Sequence, residues 1–95
     1  MKTIRFEWDE KKNTANQKKH DVSFEEAKTV FYDDNARLIR DVEHSDFEER
    51  FILLGLSSLL KLLVVVHAYK EQDEIIRIIS ARKATKNESK YYTSR

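Results

Sequence analysis

Ile4, Phe6 and Trp8 alternate with Arg5 and Glu7, and this period of two predicts a short first strand. Asp9 is placed to cap a helix from Glu10 to about His20. That helix has few apolar positions, Ala15 being the clearest, so it is expected on the surface. A second helix starts at Ser23, where Ser23 and Glu26 have the spacing of a capping box. Ala27, Val30 and Phe31 fall on one face of it, and it ends near Tyr32-Asp33-Asp34-Asn35. Strands are then predicted over 36–42, 50–57, 60–69 and 74–84, the last two dominated by valine and isoleucine. Their apolar runs are continuous, which predicts central strands covered on both faces. Lys70-Glu71-Gln72-Asp73 is short enough for a hairpin. Thr85 and Glu88 repeat the capping-box spacing and start a short C-terminal helix carrying Tyr91 and Tyr92.

The predicted order is therefore β-α-α-β-β-β-β-α. Two helices ahead of a mostly antiparallel meander predict an α+β fold, a small antiparallel sheet with helices packed on one face. A chain of 95 residues has material for one core, so residues 1–95 are expected to form a single domain.

Composition narrows the function classes. Without cysteine there is neither a disulfide framework nor a thiolate metal site. The three histidines have no ligand spacing, so no metal and no cofactor is expected. The longest apolar run, Leu62 to Val66, is too short to span a bilayer, and MKTIRFEWDE lacks the apolar segment of a signal peptide. A cytoplasmic protein with no membrane association is the expectation. Charge is uneven: residues 1–20 carry six basic and three acidic groups, and residues 21–50 carry four and ten. Residues 81–95 carry five basic groups and one acidic. If the fold joins the two basic ends, one cationic face would suit a polyanion; otherwise these charges solvate exposed helices.

Five phrases then carry a resemblance: FEWDEKK (Phe6 to Lys12), NQKKHDVSFEEAKTVF (Asn16 to Phe31), HSDFEERF (His44 to Phe51), LLVVVH (Leu62 to His67) and IRIISARKAT (Ile76 to Thr85). In order and spacing they resemble the BrnT toxin family over nearly the whole chain. The resemblance implies a fold similar to RelE-type ribonuclease toxins. It further implies a toxin of a type II toxin–antitoxin system, a metal-independent endoribonuclease that cleaves RNA and blocks translation. Its implied partner is a BrnA-type antitoxin, through which alone the complex would reach operator DNA. One departure is the turn Ser58-Leu59-Leu60-Lys61, whose two leucines stand where a polar turn is expected.

Metal-free RNA cleavage needs a base for the ribose 2′-OH, cations for the phosphorane and an acid for the leaving 5′-oxygen. Arg82 is the first candidate for the phosphate. It ends the last strand beside Lys83 and a capped helix start, and its fork can bind two phosphate oxygens. Strand period groups Arg82 with Ile76, Ile78 and Ser80, and separates it from Arg77 unless a bulge intervenes. A surface salt bridge to the acidic segment is the structural alternative. His67 and His20 are the acid–base candidates: His67 ends a buried strand, and His20 closes the first helix, where a purely structural role is equally available. Arg50 starts a core strand and either enters the cleft or pairs with Glu48 or Glu49. Lys19, Lys83 and Lys86 are expected RNA contacts, with Tyr91 and Tyr92 as candidates for base stacking. Trp8 belongs to the core by its alternation, and His44, in an acidic loop, is assigned no role. The competing reading is a non-enzymatic toxin or RNA- or protein-binding module that docks on a target such as gyrase, or serves as corepressor in the antitoxin complex.

Overall fold

The structure, a computed structural model, describes residues 4–44 and 48–94. Ser45, Asp46 and Phe47 of the His44 to Phe51 phrase lie outside the described residues. The elements are β1 (Arg5–Glu7), α1 (Glu10–His20), α2 (Phe24–Thr29), β2 (Arg37–Asp41), β3 (Arg50–Leu56), β4 (Leu62–Lys70), β5 (Ile75–Lys83) and α3 (Lys86–Thr93). Single 3₁₀ turns follow α2 at Val30–Tyr32 and β2 at Val42–His44. The order β-α-α-β-β-β-β-α holds, and each predicted element lies within about two residues of its observed bounds. The sheet runs β1-β5-β4-β3-β2. The meander from β2 to β5 is antiparallel, while β1 joins the far edge parallel to β5.

Caps fix the helices. Asp9 accepts from the backbone N–H of Lys11 and Lys12, and Ser23 accepts from that of Glu26. At Ser23 only half of the box forms. The carboxylate of Glu26 turns inward, accepts from Ser57 Oγ at 2.7 Å and lies 3.9 Å from Lys61 Nζ. The second box, at Thr85 and Glu88, forms in both directions. The leucine-bearing turn closes: Ser57 N donates to Lys61 O and Leu60 N to Ser57 O, with Leu60 in the left-handed region at φ 62°.

The core lies on one face of the sheet. Phe24, Ala27 and Val30 of the α2 segment pack with Val22 on Leu53, Leu63, Val65, Ile78 and Ala81. The glycine at position 55 is a packing requirement on this face. A Cβ there would sit 2.7 Å from Val30 Cγ1 and 2.9 Å from Ala36 Cβ, so helix and sheet meet at closest approach.

Helix α1 is held by polar side chains. Ala15 is exposed, whereas Asn13 and Asn16 are buried. β1 covers β5 only as far as Arg77, and beyond it Asn16 takes the role of a strand. Its amide donates to Ala81 O at 2.8 Å and to Val22 O at 2.9 Å, and its carbonyl accepts from Ala81 N at 3.1 Å. A buried sheet edge needs such a partner, because each orphaned backbone group costs about 1–3 kcal/mol.

One irregularity decides which residues share a face. Val66 pairs with Ser80 but His67 pairs with Ile78, leaving Ile79 as an extra residue in β5. The simple period fails across this bulge. Ile76, Ile78, Ala81 and Lys83 face the helix layer, and Arg77, Ser80 and Arg82 face the other way. Arg82 therefore does not share a face with Ile76 and Ile78; it shares one with Arg77.

The third helix lies on that second face. Asn87, Glu88 and Tyr91 of α3 border a hollow floored by Ile39, Ile52, Leu54 and Val64. Tyr92 anchors the helix by donating its hydroxyl to Asp33 Oδ2 at 2.6 Å, and Arg37 adds a bond to the carbonyl of Ser94. Helices thus flank both faces of the sheet, with α1 and α2 on one and α3 over part of the other.

Candidate active site

Beside α3 the second face opens into a cleft of about 340 Å³. Ile52, Val64, Val66 and Ile79 form its floor, and Asp41, Glu43, His44, Arg50, Ser80 and Arg82 supply its polar groups. The hollow under α3, about 240 Å³, shares Ile52 and Val64 with it. Apolar floor and convergent charged rim are the usual combination in a binding site.

Arg82 reaches this cleft because the bulge turns it there. Its guanidinium meets Glu88 end-on: Nη1 donates to Oε1 and Nη2 to Oε2, both at 2.8 Å. Nη1 also donates to the Lys83 carbonyl at 3.2 Å. These bonds use three of the five N–H groups and leave the Nε–Nη2 edge for another acceptor. Glu88 itself is fixed by the backbone N–H of Thr85 at 2.8 Å. The capping box of α3 therefore sets the orientation of the arginine. Arg82 is in a salt bridge, but its partner comes from α3 and not from the acidic segment 21–50.

The bond from Arg82 is the main reason the Glu88 carboxyl is held down to about 2, against the opposing effect of burial. A carboxyl lowered on folding stabilises above its unfolded value, and the benefit disappears as pH falls through the folded one. Wild-type protein should exceed Glu88→Gln in stability by about 1–2 kcal/mol at pH 7, after discounting for solvent around the pair. Glutamine keeps the cap, so the difference isolates the charge. Urea midpoints should converge as pH drops from about 5 towards 2; a constant gap would show that the ion pair is not its source.

Arg50 starts β3 opposite Asp41 and lines the cleft, with Nε 3.9 Å from Glu48 Oε1. It both enters the cleft and pairs with Glu48. Tyr91 is 47% exposed on α3, and the Arg37 guanidinium lies 4.6 Å from its ring centre. Of the two tyrosines, Tyr91 is the more exposed, with Arg37 over its ring, and Tyr92 is used as an anchor.

The structure does not bring His67 to Arg82. It lies on the opposite face, fully buried among Phe31, Phe51 and Tyr69. The Val65 carbonyl can only accept, so His67 Nδ1–H donates to it at 3.1 Å. Nε2 then accepts from the Tyr69 hydroxyl at 3.2 Å. Burial lowers the His67 pKa, against the opposing bond to Val65. Both nitrogens are used inside the core.

The remaining candidates also stand apart from the cleft lining. Lys19 and His20 form the last turn of α1. Lys83 pairs with the core residue Leu63 and so leaves the sheet on the other face from Arg82. Lys86 opens α3 and is exposed. Among the described residues, no three His, Asp or Glu side chains are grouped so as to hold a metal ion, and no helix is long and apolar enough to cross a membrane.

The family model for "Ribonuclease toxin, BrnT, of type II toxin-antitoxin system" matches residues 8–88. Among solved structures, the chain is similar to the ribonuclease toxin BrnT of Brucella abortus, with a TM-score of 0.69 and 23% identity over 88% of this chain and 100% of that one. At that identity the likeness concerns the fold. No curated protein sequence gives a significant match.

Proposed function

Because the chain belongs to the BrnT family of ribonuclease toxins of type II toxin–antitoxin systems, we propose that its RNA site is the cleft between Arg50 and Arg82. The observation that carries this reading is the pair of guanidiniums on one open, apolar-floored face, one of them pre-oriented by Glu88 with a bidentate edge to spare. A phosphodiester on that edge gains two charge-assisted bonds, and the extra charge of a phosphorane strengthens them. Preorganisation by Glu88 means that no side-chain ordering is spent at the moment of reaction. The apolar floor accommodates a ribose or base, and Tyr91 offers a stacking surface beyond it.

Two features support cleavage by the chain's own side chains rather than by a metal. The rim is built around arginine forks, and two carboxylates at or beside it are already engaged by side chains of this chain: Asp41 by His44 Nδ1, and Glu88 by Arg82. Loss of messenger or ribosomal RNA would then stop translation, and a BrnA-type antitoxin would neutralise the toxin. Purified protein is expected to cut single-stranded RNA at an unchanged rate in excess EDTA. Strict dependence on added Mg²⁺ or Mn²⁺ would overturn metal independence. Intact RNA accompanied by DNA breaks in arrested cells would favour the docking alternative.

A further inference from the structure

His44, which the sequence gives no evident role, stands at the rim of the same cleft. β2 ends at Asp41, and the 3₁₀ turn Val42–His44 brings the imidazole back over the carboxylate three residues earlier. Nδ1 lies 3.0 Å from Asp41 Oδ2 and 3.2 Å from Oδ1. The two partners differ in setting: the Asp41 side chain is only 10% exposed, the His44 side chain 63%. Towards an ionised carboxylate, which only accepts, Nδ1 carries the hydrogen, and in the neutral ring the lone pair is then on Nε2. A buried carboxylate that fixes the tautomer of an accessible imidazole is the arrangement that prepares a general base. A simple surface ion pair would not require a buried partner, nor place the ring in a cleft with two arginines.

Resting on the reading that this cleft holds RNA, we propose that His44 is the general base of the cleavage and that Asp41 is its positioning residue. His44 Nε2 takes the proton of the ribose 2′-OH, and the 2′-oxygen forms a bond to phosphorus. The phosphorane's non-bridging oxygens face Arg82 and Arg50. The P–O5′ bond then breaks, and the departing 5′-oxygen takes a proton from water while the imidazolium returns its own to solvent. The products are a 2′,3′-cyclic phosphate and a 5′-hydroxyl, with no net gain or loss of protons. Asp41 keeps Nδ1 protonated throughout and stabilises the imidazolium as it forms.

The test compares wild type, His44→Gln, Asp41→Asn and Arg82→Ala on a short single-stranded RNA under single-turnover conditions. Affinity is read separately on the same oligonucleotide with 2′-deoxy sugars. His44→Gln should lower the cleavage rate by about 10²–10³-fold with affinity unchanged within about twofold. Asp41→Asn should lower the rate about tenfold or more, again without loss of affinity, whereas a merely structural pair would alter melting temperature alone. On a substrate carrying sulfur in place of O5′, whose leaving group needs no proton, the His44→Gln defect should persist. Its disappearance there would make His44 the acid and overturn its assignment as base. Wild-type cleavage by His44→Gln alongside an inactive Arg82→Ala would overturn the dyad and leave the cleft standing. Wild-type cleavage by both would remove the cleft as well.

Discussion

Replacing Arg82 by alanine is expected to lower RNA cleavage by at least about a hundredfold and to abolish growth arrest on expression without antitoxin. Two losses combine in this variant. On the proposed reading the phosphate would lose the fork that meets it, and Glu88 is left beside the cleft with its charge no longer balanced. An uncompensated carboxylate at the rim repels the substrate, so the effect exceeds that of one deleted hydrogen bond. Arg82→Lys should be intermediate at best. Lysine carries the charge but cannot engage Glu88 and phosphate with two separate edges. Removing both partners, in Arg82→Ala with Glu88→Gln, should recover part of the binding lost by Arg82→Ala alone. Full toxicity of Arg82→Ala would exclude it as the phosphate ligand.

The second large effect concerns stability and lies outside the cleft. Asn16→Ala is expected to cost about 3 kcal/mol in urea denaturation, because it strips partners from Ala81 N–H, Ala81 C=O and Val22 C=O together. Asn16→Asp should be nearly as damaging. Its carboxylate can still accept from Ala81 N–H but has no hydrogen to give either carbonyl, and it is a charge in a buried place. A loss below about 0.5 kcal/mol in Asn16→Ala would mean that the edge of β5 is covered in some other way.

How much of this was legible in the sequence follows from which interactions are local. Asp9, Ser23 and Thr85 announce their helices because a cap is decided within three or four residues of the chain. The strands are legible from their valine and isoleucine runs, and Arg82 and Arg50 stand out as cations at the ends of such runs. The failures arise from longer-range decisions. The bulge at Ile79 is set by how β5 pairs with β4, and nothing in IRIISARK marks it. It moves Arg82 to the face carrying Arg77, Arg50 and Ser80, and so separates it from His67. From the sequence His67 is a candidate because it closes the apolar run LLVVVH. Pairing instead places it between Phe31 and Tyr69. The scarcity of apolar positions in α1 predicts a surface helix and gives no sign of its buried positions, Asn13 and Asn16, because these are polar and serve backbone groups. His44 had one usable signal: its spacing of three from Asp41, which a short helical turn converts into contact.

The central claim is that RNA is cut on the face bearing Arg50 and Arg82, across the sheet from the buried His67. It is tested most directly by mapping backbone amide shifts by NMR as the intact protein is titrated with a short RNA made uncleavable by one 2′-deoxy sugar. Binding in the cleft should shift the amides of His44, Arg50, Ser80, Arg82 and Tyr91 and leave those of Lys19 and His20 in place. Shifts centred on Lys19, His20 and the helix layer, with the cleft amides unmoved, would contradict it.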